Sequence, residues 1–310
     1  MQNINEKALA VTAEVSKAVL GKPEVVLKIM MAILARGHVL IEDIPGVGKT
    51  TLAQAFARAM DLTQNRVQFT PDVLPSDIVG FSLYQKETGK FVYHPGAVMC
   101  NLFLADEINR APAKTQAALF EVMEERQISI DGTTHRMGDL YTILATQNPV
   151  EQEGTYKLPE AQLDRFLMKI TMDYPSLEEE VNILERHHTN AALVKLDDIT
   201  PAITKEELLS LRAFMNQVFV DRTLLQYIAL IVQQTRTSKA VYLGASPRAS
   251  VAMLQSSKAY ALLQGRDFVT PEDIKFVAPY VLQHRLILTA EAEMEGYSPV
   301  KVTQRLIDKV

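Results

Sequence analysis

The segment at residues 45–51 has the residue types of a phosphate-binding loop. It contains Pro45, Gly46, Val47, Gly48, Lys49, Thr50 and Thr51. Its two glycines let backbone N–H groups close around phosphate oxygens, and a helix that begins at the second glycine directs its positive dipole end at the same charge. Lys49 would contact the β- and γ-phosphates, and the Thr50 hydroxyl would coordinate Mg²⁺. The segment therefore predicts a site for ATP with Mg²⁺.

One position departs from the general pattern G-x-x-x-x-G-K-[ST], because Asp43 stands where the first glycine is expected. The alternative interpretation is a glycine-rich turn before an ordinary helix. The order Pro-Gly-x-Gly-Lys-Thr seldom arises that way between an apolar strand, expected at His38–Ile44, and a helix, expected at Gly48–Met60.

Two acids follow a wholly apolar run. Asp106 and Glu107 come directly after Leu102–Ala105, a run that is typical of a strand buried on both faces. Ligands bind beyond the carboxyl ends of the strands in open α/β sheets. Asp106 is therefore the expected Mg²⁺ ligand beside Thr50, and Glu107 is the expected base that orients and deprotonates an attacking water.

Three polar residues have positions that fit the same chemistry. Asn148 follows another apolar run and could hydrogen-bond a γ-phosphate or the water. Arg165 precedes the last strand that we expect, and Arg248 begins a helix in the second half of the chain. Taken singly, each has an ordinary interpretation as a turn residue or a surface cation, and only their order relative to the other motifs favours a functional role.

Short apolar strands alternate with helical patterns through the first half of the chain, which predicts an α/β fold with a parallel sheet. Nearly every later segment has a helical pattern. We therefore divide the chain into a core at residues 1–185 and a second domain at 186–310. Two β-hairpins are expected inside the core, at Phe81–Val98 and Gln127–Met137.

The motifs in their order resemble those of the MoxR family of AAA+ ATPases. They are Gly46–Thr50, Asp106–Arg110, Thr146–Pro149, Leu163–Phe166 and Ser246–Arg248. The resemblance, from about residue 10 to residue 290, implies a P-loop AAA+ core with a five-stranded parallel sheet, in which the first two motifs are the Walker A and Walker B sequences. It implies a smaller all-helical lid domain after the core. It also implies ATP hydrolysis between the subunits of a homo-oligomeric ring, usually a hexamer.

The resemblance also assigns roles to the later motifs. Asn148 matches the first sensor, Arg165 the arginine finger and Arg248 the second sensor, and we count all three with Glu107 as catalytic. Whether Arg248 serves the nucleotide of its own chain or that of a neighbour stays open, because an extra helix repositions the lid in this clade.

Three classes of function stay open at this level. The first is chaperone-like remodelling, activation or metal insertion of a partner protein, often in this family one with a von Willebrand A-type metal-binding domain. The second is the ATPase motor of a chelatase or of a DNA-processing ring. The third is a nucleotide-binding scaffold with little hydrolysis, against which the presence of both Glu107 and Arg165 argues.

The first hairpin is a candidate for contact with a client protein. It carries Phe81, Tyr84, Phe91 and Tyr93. These aromatic residues could grip a client polypeptide, or they could stabilise the hairpin through cross-strand pairing.

The composition is that of a globular protein, with 310 residues, 47% of them hydrophobic and 22% charged. A net charge of −5 argues against a surface that coats nucleic acid, so no nucleic-acid partner is expected. The single cysteine fits a reducing compartment. Without a signal-peptide pattern or an uninterrupted apolar span, we expect a cytoplasmic protein with no membrane span.

Overall fold

The computed structural model describes residues 2–19, 21–43, 48–148, 155–172, 174, 176–188 and 196–310. In chain order its strands are β1 (Val39–Asp43), β2 (Gln64–Gln68), β3 (Gly80–Gln85), β4 (Lys90–Pro95), β5 (Leu102–Asp106), β6 (Gln127–Ile130), β7 (Thr133–Arg136), β8 (Thr142–Gln147), β9 (Met168–Met172), β10 (Val241–Leu243) and β11 (Ile287–Leu288).

The helices are α1 (Gln2–Ala18), α2 (Pro23–Leu34), α3 (Lys49–Ala59), α4 (Pro75–Val79), α5 (Ala113–Glu125), α6 (Glu160–Leu163), α7 (Leu177–His188), α8 (Lys205–Gln217), α9 (Arg222–Thr237), α10 (Pro247–Leu263), α11 (Pro271–Leu282), α12 (Ala290–Met294) and α13 (Pro299–Ile307). Two 3-10 turns lie at Ile108–Arg110 and Leu196–Asp198.

Five parallel strands form the central sheet in the order β2-β5-β8-β1-β9. This confirms the α/β fold and the five-stranded sheet of the sequence analysis. β1, β5 and β8 lie next to one another and point the same way, so their carboxyl ends share one edge of the sheet. We call this the carboxyl edge, and we call the opposite edge, where the strands begin, the amino edge.

Alternate residues of the central strands pack into two separate apolar cores, because successive side chains of a strand point to opposite faces. On one face, Ile41 and Leu104 join the side chains of α1, α2, α3 and the later helices. On the other face, Leu40 and Phe103 pack with α5 around Phe120. The sheet is covered on both faces, which explains why β5 is buried along its whole length.

Among the described residues after α7, helices predominate, and β10 and β11 form a short antiparallel pair. The sequence analysis expected helices alone there, and this pair adds a small irregular region that carries Tyr242 at its surface. Strands of two or three residues are too short to produce an alternating pattern. The division that we expect between residues 185 and 186 lies within α7, and it stays a prediction.

Both predicted hairpins form. β3 pairs with β4, so that Tyr84 lies opposite Phe91, and β6 pairs with β7 around a turn at Asp131 and Gly132. The two hairpins contact one another through the stacked rings of Tyr93 and His135, whose centroids are 3.9 Å apart.

Within the described ranges, no helix combines the length and the apolar character that crossing a membrane requires.

A buried histidine joins three elements at the amino edge. The His38 ring accepts a hydrogen bond from the Ile143 N–H at its Nδ1 atom, 3.0 Å away, and its Nε2 atom lies 3.2 Å from the Met123 carbonyl oxygen, to which it donates. Burial and the nearby Arg126 charge lower the pKa of His38 from 6.5 to about 3. The ring is therefore neutral at physiological pH and ties β1 to β8 and to the end of α5.

Replacing His38 with glutamine should reduce the acid sensitivity of the fold. Below about pH 6.5 the unfolded chain binds a proton at His38 that the folded protein does not bind. The stability that His38 contributes is therefore fully present above that pH, and it is lost as the pH falls towards 3. Between about pH 7.5 and pH 5, the wild type should lose roughly 2 kcal/mol more free energy of unfolding than His38→Gln. Urea unfolding at the two pH values measures this difference.

His94→Gln is the matched control, because His94 is exposed on the first hairpin. This control should keep the pH dependence of the wild type. An equal loss of stability in wild type and His38→Gln would show that His38 does not titrate in this way.

Candidate functional site

The carboxylate of Asp106 is the centre of a polar cluster at the carboxyl edge. Its Oδ2 atom accepts hydrogen bonds from Arg66 at 2.7 and 3.2 Å, and its Oδ1 atom accepts one from the Thr146 hydroxyl at 2.7 Å. The Lys49 Nζ atom lies 3.5 Å from Oδ1. The structure therefore brings together the lysine that follows β1, the acid that ends β5 and a hydroxyl of β8.

These contacts keep Asp106 ionised although its side chain is buried. Burial raises the pKa of this carboxyl, but hydrogen bonds from Arg66 and Thr146 and the charges of Lys49 and Arg66 outweigh burial and hold the pKa below its usual range. The ionised carboxylate is the form that can bind a hard cation such as Mg²⁺, which prefers oxygen ligands.

The phosphate loop is described from Gly48 onwards, and Pro45, Gly46 and Val47 lie outside the described residues. Gly48 has a φ of 87°, in the left-handed region that favours glycine, and a Cβ built there would meet no atom of the described residues within 4 Å. α3 begins at the next residue, so Lys49, Thr50 and Thr51 form its first turn. The backbone N–H groups of a first helical turn attract anions, which fits a phosphate in front of Gly48.

Glu107 has an unusual backbone conformation for a residue with a side chain. Its φ is 56°, in the left-handed region, where a residue other than glycine costs about 1 kcal/mol. The Thr146 hydroxyl oxygen accepts a hydrogen bond from the Glu107 N–H at 2.9 Å, which supports this turn. The carboxylate forms an ion pair with Arg110 at 2.9 Å. The single hydroxyl of Thr146 thus connects both acids of the motif.

Asn148 is buried directly after β8, two residues beyond Thr146. It lies at the carboxyl edge with Asp106 and Glu107, as the sequence analysis expects for a first sensor.

Arg165 and Arg248 meet at a different place. The two Oε atoms of Glu124, in the last turn of α5, each bind one guanidinium group: Arg165 Nη2 lies 2.8 Å from Oε2, and Arg248 Nη2 lies 2.5 Å from Oε1. Arg165 also lies near the ring of Phe120, with 5.9 Å between its Cζ atom and the ring centroid. The sequence analysis named both arginines but missed the acid that joins them.

This arginine pair lies at the amino edge of the sheet. The Leu167 N–H donates to the His38 carbonyl oxygen at 2.8 Å, so the residues that follow Arg165 enter β9 beside the start of β1. The first turn of α3 lies beyond the other end of β1. A strand of five residues spans about 15 Å, and that length separates the arginine pair from the Lys49 and Asp106 cluster of the same chain.

The segment that carries Arg165 is fastened to the later helices through Asp164. Arg285, a buried residue that follows α11, donates from Nε to Asp164 Oδ1 at 2.7 Å and from Nη2 to the Phe166 carbonyl oxygen at 2.6 Å. The Ser246 hydroxyl donates to Asp164 Oδ2 at 2.8 Å. Ser246 also caps α10, the helix that begins one residue before Arg248. The two arginines are therefore held by one connected set of polar groups.

Comparisons with known proteins identify the family of this chain. Residues 38–168 match the family model described as ATPase family associated with various cellular activities (AAA), and residues 233–308 match the model of the AAA lid domain. The chain is 45% identical over 296 residues to YeaC of Bacillus subtilis, covering 96% of this chain and 92% of that protein. It is 42% identical over 306 residues to Chaperone MoxR1 of Mycobacterium tuberculosis, covering 96% and 80%.

The chain belongs to the MoxR family of AAA+ ATPases. A Cytophaga hutchinsonii protein that was crystallised as a candidate ATPase has the same fold, with a TM-score of 0.90 and 39% identity over 100% of this chain and 96% of that one. The resemblance drawn from the motifs is thereby confirmed, as are the AAA+ core and the lid. Members of this ATPase family generally bind a nucleotide together with Mg²⁺.

The residues present fit that nucleotide and metal. The left-handed backbone of Gly48, the first turn of α3 and the Lys49 ammonium suit phosphate oxygens. Thr50 and the ionised Asp106 suit Mg²⁺, which usually takes one or two protein ligands together with substrate phosphates.

Sequence reasoning missed three contributors to these clusters. Arg66 neutralises Asp106 from the neighbouring strand β2, Glu124 joins the two arginines, and Arg285 fastens Asp164. The sequence did carry a signal for Arg66, because it is a cation inside one strand and the neighbouring strand leads into two acids. Glu124 and Arg285 lie outside every motif, so their partners depend on the fold.

The Thr146 hydroxyl gives a direct test of how the two acids are held. In Thr146→Val, both the Glu107 N–H and Asp106 Oδ1 lose a partner, which should cost about 1–3 kcal/mol of stability. The turnover number for ATP should fall as well, because Glu107 loses the hydrogen bond that orients it. Urea unfolding and steady-state kinetics measure the two effects.

The matched control is Thr142→Val, on the same strand. Thr142 is buried, but its hydroxyl makes no hydrogen bond within the described residues. This variant should keep the wild-type turnover and should not be destabilised. Equal effects of the two substitutions would mean that the Thr146 hydroxyl has no special role.

Proposed function

We propose that this chain is a subunit of a homo-oligomeric ring that hydrolyses Mg-ATP at each subunit interface. In this proposal, hydrolysis drives the remodelling, activation or metal insertion of a partner protein. The main support for this proposal is that Arg165 and Arg248 lie at the amino edge, away from the phosphate loop of their own chain. Each subunit would offer a nucleotide site at one edge and two arginines at the other.

The amino edge carries the positive charge that would attract the phosphates bound to a partner subunit. A cleft of about 320 Å³ beside α5 is lined by many more cationic than acidic side chains. Its cations are Arg36, Arg126, Arg165, Arg248 and Arg285, and its acids are Glu124 and Asp164. Clustered guanidinium groups repel one another and favour a polyvalent anion. The γ-phosphate of a neighbouring subunit supplies that charge when the carboxyl edge of one subunit docks on the amino edge of the next.

Contacts of this head-to-tail kind close into rings when the rotation between subunits allows it. We propose a hexamer that acts in the cytoplasm. Because Arg248 shares Glu124 with Arg165, we assign both arginines to the neighbour's nucleotide. For Arg248, whose role the sequence analysis left open, this assignment is a proposal.

Within one subunit, Lys49 binds the β- and γ-phosphates, while Thr50 and Asp106 hold Mg²⁺. When bound, Mg²⁺ neutralises charge on the phosphate oxygens. Glu107 accepts the proton of the attacking water, and Asn148 orients that water or the γ-phosphate. The buried position of Asn148 and the strained turn at Glu107 support these assignments, since strained backbone is concentrated at functional sites.

The first hairpin supports the proposal of a protein client. Phe81, Tyr84 and Phe91 each expose half or more of their surface, although Tyr84 pairs with Phe91 and Phe81 stacks on His94. Exposed aromatic side chains on a paired hairpin suit contact with a polypeptide. Tyr93 has a structural role instead, because its hydroxyl donates to the Val79 carbonyl oxygen and its ring stacks on the second hairpin. A von Willebrand A-type domain is the client that the family resemblance suggests.

Binding and hydrolysis should separate in two single variants. Lys49→Ala should lose about 1.5–3 kcal/mol of ATP binding, because it removes a charged contact to phosphate. Glu107→Gln should bind ATP like the wild type and hydrolyse it roughly 10²–10⁴-fold more slowly, because it lacks the base. Calorimetry and a phosphate-release assay measure the two quantities. Unchanged affinity in Lys49→Ala or wild-type turnover in Glu107→Gln would refute the assigned role.

Arg165→Ala should bind ATP normally and hydrolyse it far more slowly, by roughly 10³–10⁵-fold if the residue is a full arginine finger. The guanidinium group belongs to the neighbour's transition state and contributes little to binding in its own chain. Mixing Arg165→Ala with Glu107→Gln should restore part of the activity. Some interfaces of mixed rings combine an intact Glu107 on one side with an intact Arg165 on the other.

Wild-type specific activity should also rise with protein concentration, in parallel with assembly measured by light scattering. The arrangement between subunits is wrong if mixing under conditions of subunit exchange restores nothing. It is equally wrong if a dilute monomer hydrolyses ATP at the full rate.

A further inference from the structure

The two arginines at the amino edge share a single carboxylate. Glu124 uses one oxygen for Arg165, at 2.8 Å, and its other oxygen for Arg248, at 2.5 Å. Arg165 belongs to the core and Arg248 to a later helix. The carboxylate therefore bridges two segments that are far apart along the chain. Each guanidinium group is fixed relative to the other through this bridge.

The bridge leaves most of each arginine's hydrogen-bonding capacity unused. A guanidinium group has five N–H donors, and each arginine gives only its Nη2 to Glu124. The buried Nε of Arg165 makes no hydrogen bond within the described residues. The Arg165 and Arg248 side chains are 27% and 53% exposed, so a phosphate could bind exposed donors of both arginines while the bridge stays intact.

The position of Glu124 in its helix is unfavourable for an acid. α5 ends at the next residue, and the partial negative charge of a helix C-terminus destabilises a carboxylate in the last turn. The cations of the cleft offset this effect. Without the carboxylate, Arg165 and Arg248 would face each other and the neighbouring arginines of the cleft as uncompensated like charges, and they would separate.

We propose that Glu124 is the positioning residue of the arginine pair. It holds Arg165 and Arg248 at one spacing, so that both contact the phosphate of the neighbouring subunit together. The inference rests on the proposed function between subunits, because it assigns Glu124 no role except through the two arginines.

Glu124→Gln tests this inference with little change of shape. The glutamine amide keeps one acceptor oxygen, but its NH₂ group replaces the second oxygen and is a donor that cannot bind the second arginine. We expect the turnover number to fall about 10–100-fold, a fraction of the full effect of an arginine finger, while the dissociation constant of ATP stays within about twofold of the wild type. Glu124→Asp keeps the charge and should recover part of the turnover. The melting temperature should change little, because the pair is partly exposed.

Glu121→Gln is the matched control, since Glu121 is an exposed acid on the same helix, one turn earlier. It should match the wild type in turnover. Adding Glu124→Gln to an Arg165→Ala, Arg248→Ala variant should cause no further loss, because a residue that acts only through the arginines has no effect in their absence. A further loss of 10-fold or more in that background would overturn the inference.

Two results distinguish the inference from the function on which it rests. If Arg165→Ala itself keeps the wild-type turnover, the proposed function between subunits fails. If Arg165→Ala is slow but Glu124→Gln turns over like the wild type or faster, only the positioning role of Glu124 fails. A faster variant would show that Glu124 restrains the arginines instead of orienting them.

Discussion

The parallel direction of the five central strands determines where the charged groups of this protein lie. Residues that follow strands, such as Lys49 and Glu107, gather at the carboxyl edge, and residues that precede strands, such as Arg165, gather at the amino edge. A strand of five residues keeps the two groups about 15 Å apart. In the proposed ring, these two groups would be the two halves of one phosphate site. The proposed ring follows from this separation, because a second chain is the simplest way to bring complementary edges together.

The polar groups of the carboxyl edge stabilise the ionised form of Asp106, which is the form that can bind a metal. Asp106 is buried, which favours the neutral carboxylic acid, yet Arg66, Thr146 and Lys49 together favour the carboxylate. The cost of the strained Glu107 backbone is offset by the same Thr146 hydroxyl that binds Asp106. Polar groups that depend on one another in this way hold a site in one arrangement before its ligand arrives, and catalysis by positioned charges requires that property.

The sequence predicted the elements of the fold well because their signals are local. β5 is a continuous apolar run, and the turn at Asp131 and Gly132 has residues that adopt a positive φ. β2 gives a weaker signal, since its polar, partly exposed residues show no clear alternation. The positions of the motifs were likewise predictable, because four of them lie beside a strand and Ser246–Arg248 begins a helix.

What the sequence could not predict are contacts between distant parts of the chain. Glu124 and Arg248 are 124 residues apart, and Arg285 reaches Asp164 across 121 residues. Acids near helix ends and single arginines are common on protein surfaces, so neither type gives a signal by itself. Only the fold shows that Glu124 lies between two cations and that Asp164 accepts from both Ser246 and a buried arginine.

These distant contacts connect the lid to the chemistry assigned to the core. Arg285 is buried, and burial lowers its pKa although the Asp164 carboxylate acts in the opposite direction. Pulling Arg285 away would remove one donor from the partly buried Asp164 carboxylate and another from the Phe166 carbonyl oxygen, which is costly. The lid and the segment that carries Arg165 are therefore expected to move as one body. Any displacement of the lid that accompanies nucleotide binding would then shift Arg165 and Arg248 together at the edge that faces the next subunit. In such a ring, the state of one nucleotide site would be transmitted to its neighbour through the position of the arginine pair.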